Sequence, residues 1–173
     1  MSIVNFDGVL EPGVCELLID MFETSTNKES FNNELRPKFE QITIADEHMH
    51  RYLTQMAVEI LRRYREMTTE FMPVPKMLEQ FRVKKYVGDT DDQFAGHIDS
   101  VAGESSSRYV AILIYLNDDF EEGETEFLFK NPVVFKPVQG SAVVFPPFWT
   151  HPHRGKPCKN GNKYILSTYA RYE

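Results

Sequence analysis

Cysteine is scarce in this chain: Cys15 and Cys158 are far apart and form no Cys-x-x-Cys pair. A disulfide scaffold and a thiolate zinc site are thereby excluded. No stretch approaches the roughly 20 consecutive apolar residues needed to cross a bilayer. The opening segment MSIVNFDGVLEPG has neither the basic region nor the apolar run of a secretory signal. Positive charge is also short, with 19 Lys and Arg against 26 Asp and Glu, a net charge of −7. Such a balance argues against general binding to phosphate backbones. The expectation is a soluble protein of a reducing compartment with no membrane partner. Its place would be the cytoplasm, or the host cytoplasm if the source is viral.

What is abundant is core material. Hydrophobic residues make up 42% of the 173 positions, with 13 Phe and 8 Tyr, enough to pack one domain and too much for a disordered chain. The front is expected to be helical (1–77) and the back a β core (78–173), together one single domain. After Pro12 and Gly13, the residues Val14, Leu17, Leu18, Met21 and Phe22 fall at helical spacing. Residues 25–43 are polar and read as irregular, with Pro37 forbidding a continuous helix. From about Asp46 to Met67, one stripe of Met49, Tyr52, Leu53, Met56, Ile60, Leu61 and Tyr64 predicts an amphipathic helix. His48 and His50, near its start and two apart, do not share a face and are expected at the surface or partly packed.

Beyond the turn FMPVPK the pattern shifts to short β-type runs: Leu78–Val87, Tyr109–Leu116, Glu126–Phe129, Val133–Phe135, Ser141–Phe145 and Lys163–Tyr172. Gly, Asn and Pro separate them. Such spacing predicts a sandwich or barrel with the front helices covering one outer face.

Within this half, His97-Ile98-Asp99 puts an imidazole and a carboxylate two residues apart. In an extended strand both would point into one cavity. They are two of the three ligands of a facial non-haem Fe(II) site. A third must come from far along the chain, and His151 and His153, again two apart, are equal candidates on geometry. Zinc hydrolysis would accept the same ligands. Lys163 follows ten positions after His153, across the turn-like GKPCKNG. A lysine facing a barrel interior costs several kcal/mol unless an anion pairs with it, and a dicarboxylate bound to the metal at one end would supply that anion.

The stretch from about Leu78 to Tyr172 resembles the short, single-domain 2-oxoglutarate/Fe(II) dioxygenases of the prolyl 4-hydroxylase type. The segments FRVKKYVGDTDDQFAGHID, RYVAILIYLNDDFEEGETEF, GSAVVFPP and HRGKPCKNGNKYILST carry the resemblance in the family's order. Two departures are Gly123 alone where two glycines are usual and Cys158 where valine is common. The resemblance implies a double-stranded β-helix (jelly-roll) core, mainly β, with N-terminal helices packed on one sheet. It selects His153 over His151, because the family's co-substrate lysine lies ten residues after the distal histidine. Implied metal ligands are His97, Asp99 and His153, binding Fe(II). Lys163, Tyr86, Tyr115 and Thr125 are implied for 2-oxoglutarate, with Ser167 a weaker pocket candidate, and Arg108 for substrate. O2 is the other co-substrate and ascorbate a possible accessory reductant.

The implied reaction is hydroxylation, with succinate and CO2 as co-products. Relatives that halogenate carry a small residue in place of the acid, so Asp99 favours hydroxylation. Lys163 rather than arginine favours the prolyl/lysyl branch over the nucleic-acid demethylating one. The family's default substrate is a proline in a protein or peptide. Alternatives are a free amino acid, a nucleobase, a zinc hydrolase on the same barrel, or a non-catalytic jelly-roll binding module. Residues 25–43 and 88–107 are candidate lids.

Overall fold

The computed structural model describes residues 2–32 and 38–172. Two helices, α1 (Pro12–Thr24) and α2 (Glu47–Thr68), accompany fourteen short strands. From the front come β1 (Val4–Phe6), β2 (Glu29–Asn32) and β3 (Lys38–Thr43). The centre supplies β4 (Met77–Leu78), β5 (Arg82–Tyr86), β6 (Phe94–His97), β7 (Arg108–Tyr115) and β8 (Glu121–Glu122). The remainder are β9 (Thr125–Phe127), β10 (Val133–Phe135), β11 (Ala142–Phe145), β12 (His153–Gly155), β13 (Cys158–Lys159) and β14 (Lys163–Arg171).

A large antiparallel sheet runs in the order β1-β11-β7-β14-β5-β3-β2, with β4 also pairing with β14. A four-stranded sheet, β10-β9-β12-β6, faces it, and β13 pairs with β8. This is the expected jelly-roll, with strands alternating between two cores. On β7, Val110, Ile112 and Ile114 join the core shared with both helices, whereas Ala111 and Tyr115 join the core between the sheets. On β14, Tyr164, Leu166 and Ala170 turn toward the helices, and Ile165 and Tyr169 turn inward. Each large apolar side chain so buried contributes roughly 1.5–3 kcal/mol.

Helix α2 begins where its sequence caps it: the Asp46 carboxylate accepts the Met49 N–H at 2.8 Å, satisfying a free donor of the first turn. Leu53, Ala57, Ile60, Leu61 and Tyr64 are buried, while Arg62 bridges Glu59 and Glu66 on the solvent side. In α1 the register is rotated from the expected stripe. Cys15, Leu18 and Phe22 are buried and Leu17 is 49% exposed, because the helix packs on a narrow line of side chains.

The front is less helical than expected. Residues 25–43 are not irregular throughout: β2 and β3 form a hairpin pair in the register Phe31↔Phe39 that extends the large sheet beyond β5. In the two strands only Phe31, Phe39 and Ile42 are large and apolar, and Phe39 and Ile42 turn to opposite cores, so the periodic signal is weak. Pro37 lies outside the described residues. The other candidate lid, 88–107, holds β6 and a 3-10 turn, Gly103–Ser107. Among the described residues no helix is long and apolar enough to cross a membrane.

Candidate active site

His97 ends β6 and His153 begins β12, and the two residues are direct partners across that strand pair. Their rings lie 4.3 Å apart. Asp99 lies just past the strand. The N–H groups of Asp99 and Ser100 both donate to the Pro147 carbonyl, at 3.1 and 3.0 Å, so an anchored loop rather than strand alternation turns its carboxylate inward. His97 Nε2 stands 3.3 Å from Asp99 Oδ1, and His153 Nε2 stands 3.4 Å from Asp99 Oδ2. The three groups can each offer a ligand atom within 4.8 Å of the others.

The tautomers follow from the hydrogen bonds. His97 Nδ1 meets the Ala95 carbonyl at 2.7 Å and His153 Nδ1 meets the His151 carbonyl at 3.1 Å. A carbonyl only accepts, so each Nδ1 carries a proton, and each ring turns its Nε2 toward Asp99. Burial pushes His153 down to about 4, keeping it in the neutral, ligating form. Burial works to raise the Asp99 carboxyl, but His97, His153 and Lys84 outweigh it and hold it well below the usual range. His97 Nε2 is buried without a hydrogen-bond partner. Two Nε2 atoms and a carboxylate converging within 4.8 Å form an N2O donor set that suits a divalent cation such as iron or zinc.

The surroundings fix these groups. Phe94 stacks on His97 at 3.4 Å, and Phe127 and Phe145 flank His153. Tyr169 donates its hydroxyl to Asp99 Oδ1 at 3.0 Å. Arg108, expected to face substrate, borders an outer cleft, but its donors are largely spent on the protein. Nε and Nη2 grip Glu79 at 2.6 and 2.8 Å, and Nη1 donates to the Asp99 carbonyl oxygen at 2.9 Å. It positions the Asp99 loop, as outer hydrogen bonds commonly do for metal ligands.

An inner cavity leads from the triad to Lys163, lined also by Tyr86, Thr125 and Ser167. Lys163 Nζ donates to the Gly123 carbonyl at 3.0 Å and lies near the Lys156 carbonyl at 3.5 Å. Burial pushes its ammonium down to about 8, with Cys158 and Glu124 pulling upward. Gly123 has φ +70°, and a Cβ there would stand 2.8 Å from Phe120, 3.1 Å from Cys158 and 3.3 Å from Lys163, so this glycine makes room for the lysine stem. Tyr115 stands behind the wall, giving its hydroxyl proton to Thr125 Oγ1 at 2.7 Å. Thr125 thereby keeps its own proton for the cavity. His151 turns away from the triad, with its Nε2 2.7 Å from Ser2 Oγ.

Sequence reasoning missed Lys84, Tyr169, Glu79 and Phe94. Two of them were within reach of strand alternation: Lys84 shares the Tyr86 face of β5, and Tyr169 shares the Lys163 face of β14.

Comparison with known proteins gives the family and the fold. Residues 81–171 match the model of the 2OG-Fe(II) oxygenase superfamily. A protein of Acanthamoeba polyphaga mimivirus named "Putative prolyl 4-hydroxylase" is 39% identical over 72 residues, which cover 37% of this chain and 29% of that protein. In fold, the chain is similar to the viral collagen prolyl hydroxylase of Paramecium Bursaria Chlorella virus-1 in its 2OG complex (TM-score 0.76, 19% identity, 99% of this chain and 96% of that one). It is likewise similar to the Trichoplax adhaerens prolyl hydroxylase in complex with a hypoxia inducible factor peptide fragment (TM-score 0.80, 15% identity, 98% and 83%). The family match spans the two histidines, the carboxylate and the buried lysine and covers more than half of the chain, and on that ground the chain belongs to the 2OG-Fe(II) oxygenase superfamily.

Proposed function

We propose that the chain is a prolyl 4-hydroxylase acting on a proline within a peptide, with His97, Asp99 and His153 holding Fe(II) and Lys163 holding 2-oxoglutarate. One observation carries this division of labour. The triad sits where a narrow inner cavity ending at Lys163 meets a much wider outer cleft. Five residues, Lys84, Phe94, His97, Asp99 and Tyr169, border both spaces. A small dicarboxylate suits the narrow end, and a peptide needs the wide one.

Iron with 2-oxoglutarate and O2 supplies the oxidising power that places one oxygen atom on an unactivated C–H bond, leaving succinate and CO2. The remaining work belongs to the chain. Lys163 has three N–H donors, and two are directed at backbone carbonyls. The third is left for the distal carboxylate of the co-substrate, whose charge offsets the cost of burying the ammonium. Thr125 adds a hydroxyl donor, oriented by Tyr115. Phe94, Phe127 and Phe145 keep water from the histidines. Glu79 and Arg108 hold the Asp99 loop. Support for a peptidyl proline comes from the names of the mimivirus relative and the fold neighbours.

The test is turnover of proline-containing peptides with Fe(II), 2-oxoglutarate and O2, following succinate and peptide mass. The expected result is one added oxygen on proline per succinate formed. Succinate formed while every proline peptide stays unmodified would contradict the substrate.

A further inference from the structure

The inner cavity and outer cleft share a second buried lysine, and nothing in the mechanism above uses it. Lys84 lies on β5 two residues before Tyr86, so both side chains face the same way. In the β5–β14 register Tyr86 is opposite Lys163 and Lys84 is opposite Ile165. Lys84 is therefore one inward-facing pair removed from the narrow end, and it borders the outer cleft, which Lys163 does not.

The two lysines differ in their partners. Lys163 has carbonyl acceptors, whereas among the described residues Lys84 has neither a hydrogen-bond acceptor nor an ion pair. Its ammonium lies over the rings of Phe39 and Phe94, at 5.1 and 5.5 Å. Burial pushes it down to about 8 despite the pull of Asp99. An aromatic bed compensates only part of the cost of burying such a charge.

Nearby charge has the same sign. Arg82 and Arg108 line the same cleft and share Glu79 at 3.3 and 2.6 Å, a carboxylate that Arg171 also approaches from outside the cleft at 3.9 Å. The chain as a whole carries a net charge of −7. The wall of the cleft beside the triad is thus cationic in an acidic protein.

We propose that Lys84 anchors the substrate by pairing with a carboxylate, the side chain of an Asp or Glu beside the target proline. The acidic neighbour is specific to this inference, and the proline rests on the function proposed above. Phe31, Phe39 and Phe94 line the same cleft and offer apolar surface for a ring next to the paired charge.

The experiment is equilibrium binding of fluorescein-labelled peptides by anisotropy. The full chain is loaded with Fe(II) and 2-oxoglutarate under argon, so that nothing turns over. Peptides carry Glu, Gln or Lys beside a proline, and a matched set has alanine in place of that proline. The wild type is expected to prefer the Glu-Pro peptide over Gln-Pro by roughly tenfold or more, equivalent to about 1.4 kcal/mol. Lys84→Met abolishes the preference, Lys84→Arg keeps most of it, and Lys84→Glu reverses it toward the Lys-Pro peptide. Thermal unfolding gives an independent readout, because Lys84→Met removes a buried charge that the two rings compensate only in part and should raise the melting temperature.

Equal binding of Glu and Gln peptides by the wild type overturns the proposal, as does a preference that survives in Lys84→Met. A lower melting temperature in Lys84→Met makes the lysine structural and also overturns it. Loss of 2-oxoglutarate binding in Lys84→Met as complete as in Lys163→Met gives Lys84 to the co-substrate instead. A charge preference that persists with alanine for proline upholds the carboxylate site and refutes the prolyl reading. Failure to bind any peptide refutes both.

Discussion

The two faces of the large sheet are built from the same strands yet do opposite things. Toward the helices, Val83, Ile112, Ile114, Leu166 and Ala170 form a continuous apolar layer. Toward the small sheet, Lys84, Tyr86, Lys163, Ser167 and Tyr169 put two ammonium groups and three hydroxyls into a buried space. Alternation along β5 and β14 makes both faces from one sequence period. The helix face supplies stability, and the inner face keeps polar groups whose burial costs stability until a ligand satisfies them. Function here is an expense carried by one face and offset by the other.

The comparison can be broken by substitution on either side. The largest effect is expected on the inner face: His153→Ala should remove Fe(II) binding and with it all detectable succinate formation, while far-ultraviolet circular dichroism still reports a folded chain. Unfolding of that variant would place His153 among the stabilising residues and erase the distinction. On the other face, Leu166→Ala should lose about 2–5 kcal/mol in urea unfolding, with 2-oxoglutarate affinity preserved in the molecules that remain folded.

A finer test uses pH. The Lys163 ammonium is depressed to about 8 by burial, below its ordinary value near 10.4. Its burial cost is therefore fully present at low pH and is relieved as pH rises from about 8 toward the unfolded value. Co-substrate binding has the opposite dependence, because only the protonated amine pairs with a carboxylate. 2-Oxoglutarate affinity should hold below pH 8 and fall by roughly tenfold per unit above it, measured by isothermal titration under argon. A flat profile to pH 9.5 would remove the lysine from the co-substrate site. The smallest effect lies far from the cavity: Asp46→Ala, removing the α2 cap, should cost about 1 kcal/mol and leave metal binding alone.

How much of this was legible beforehand differs by element. Helix α2 was read almost to the residue, since its cap and stripe are local signals. Strand β10 was also read to the residue, and β7 and β14 to within one or two positions at an end. The β2–β3 pair is not legible, because edge strand β2 is largely polar and β3 buries Phe39 and Ile42 on opposite faces with polar Gln41 between them, and β8 and β13 are two residues each. At the site, His97, Asp99 and Lys163 stood out as ligand types at suggestive spacing. The choice of His153 over His151 rests on the family resemblance; in the structure His153 starts strand β12 opposite His97, while His151 contacts Ser2. Arg108 was located but its role was not, because its partner Glu79 comes from a different segment and no local pattern joins them. Lys84 was passed over although the inward face of Tyr86 implied it.

The central claim is that the triad and Lys163 together hold Fe(II) and 2-oxoglutarate. The direct measurement is anaerobic titration of 2-oxoglutarate into the Fe(II)-loaded protein, following the visible metal-to-ligand charge-transfer band. A saturable band is predicted, absent in His153→Ala and requiring far more 2-oxoglutarate in Lys163→Met. Iron bound with no band in the wild type, or a band indifferent to Lys163, would contradict it.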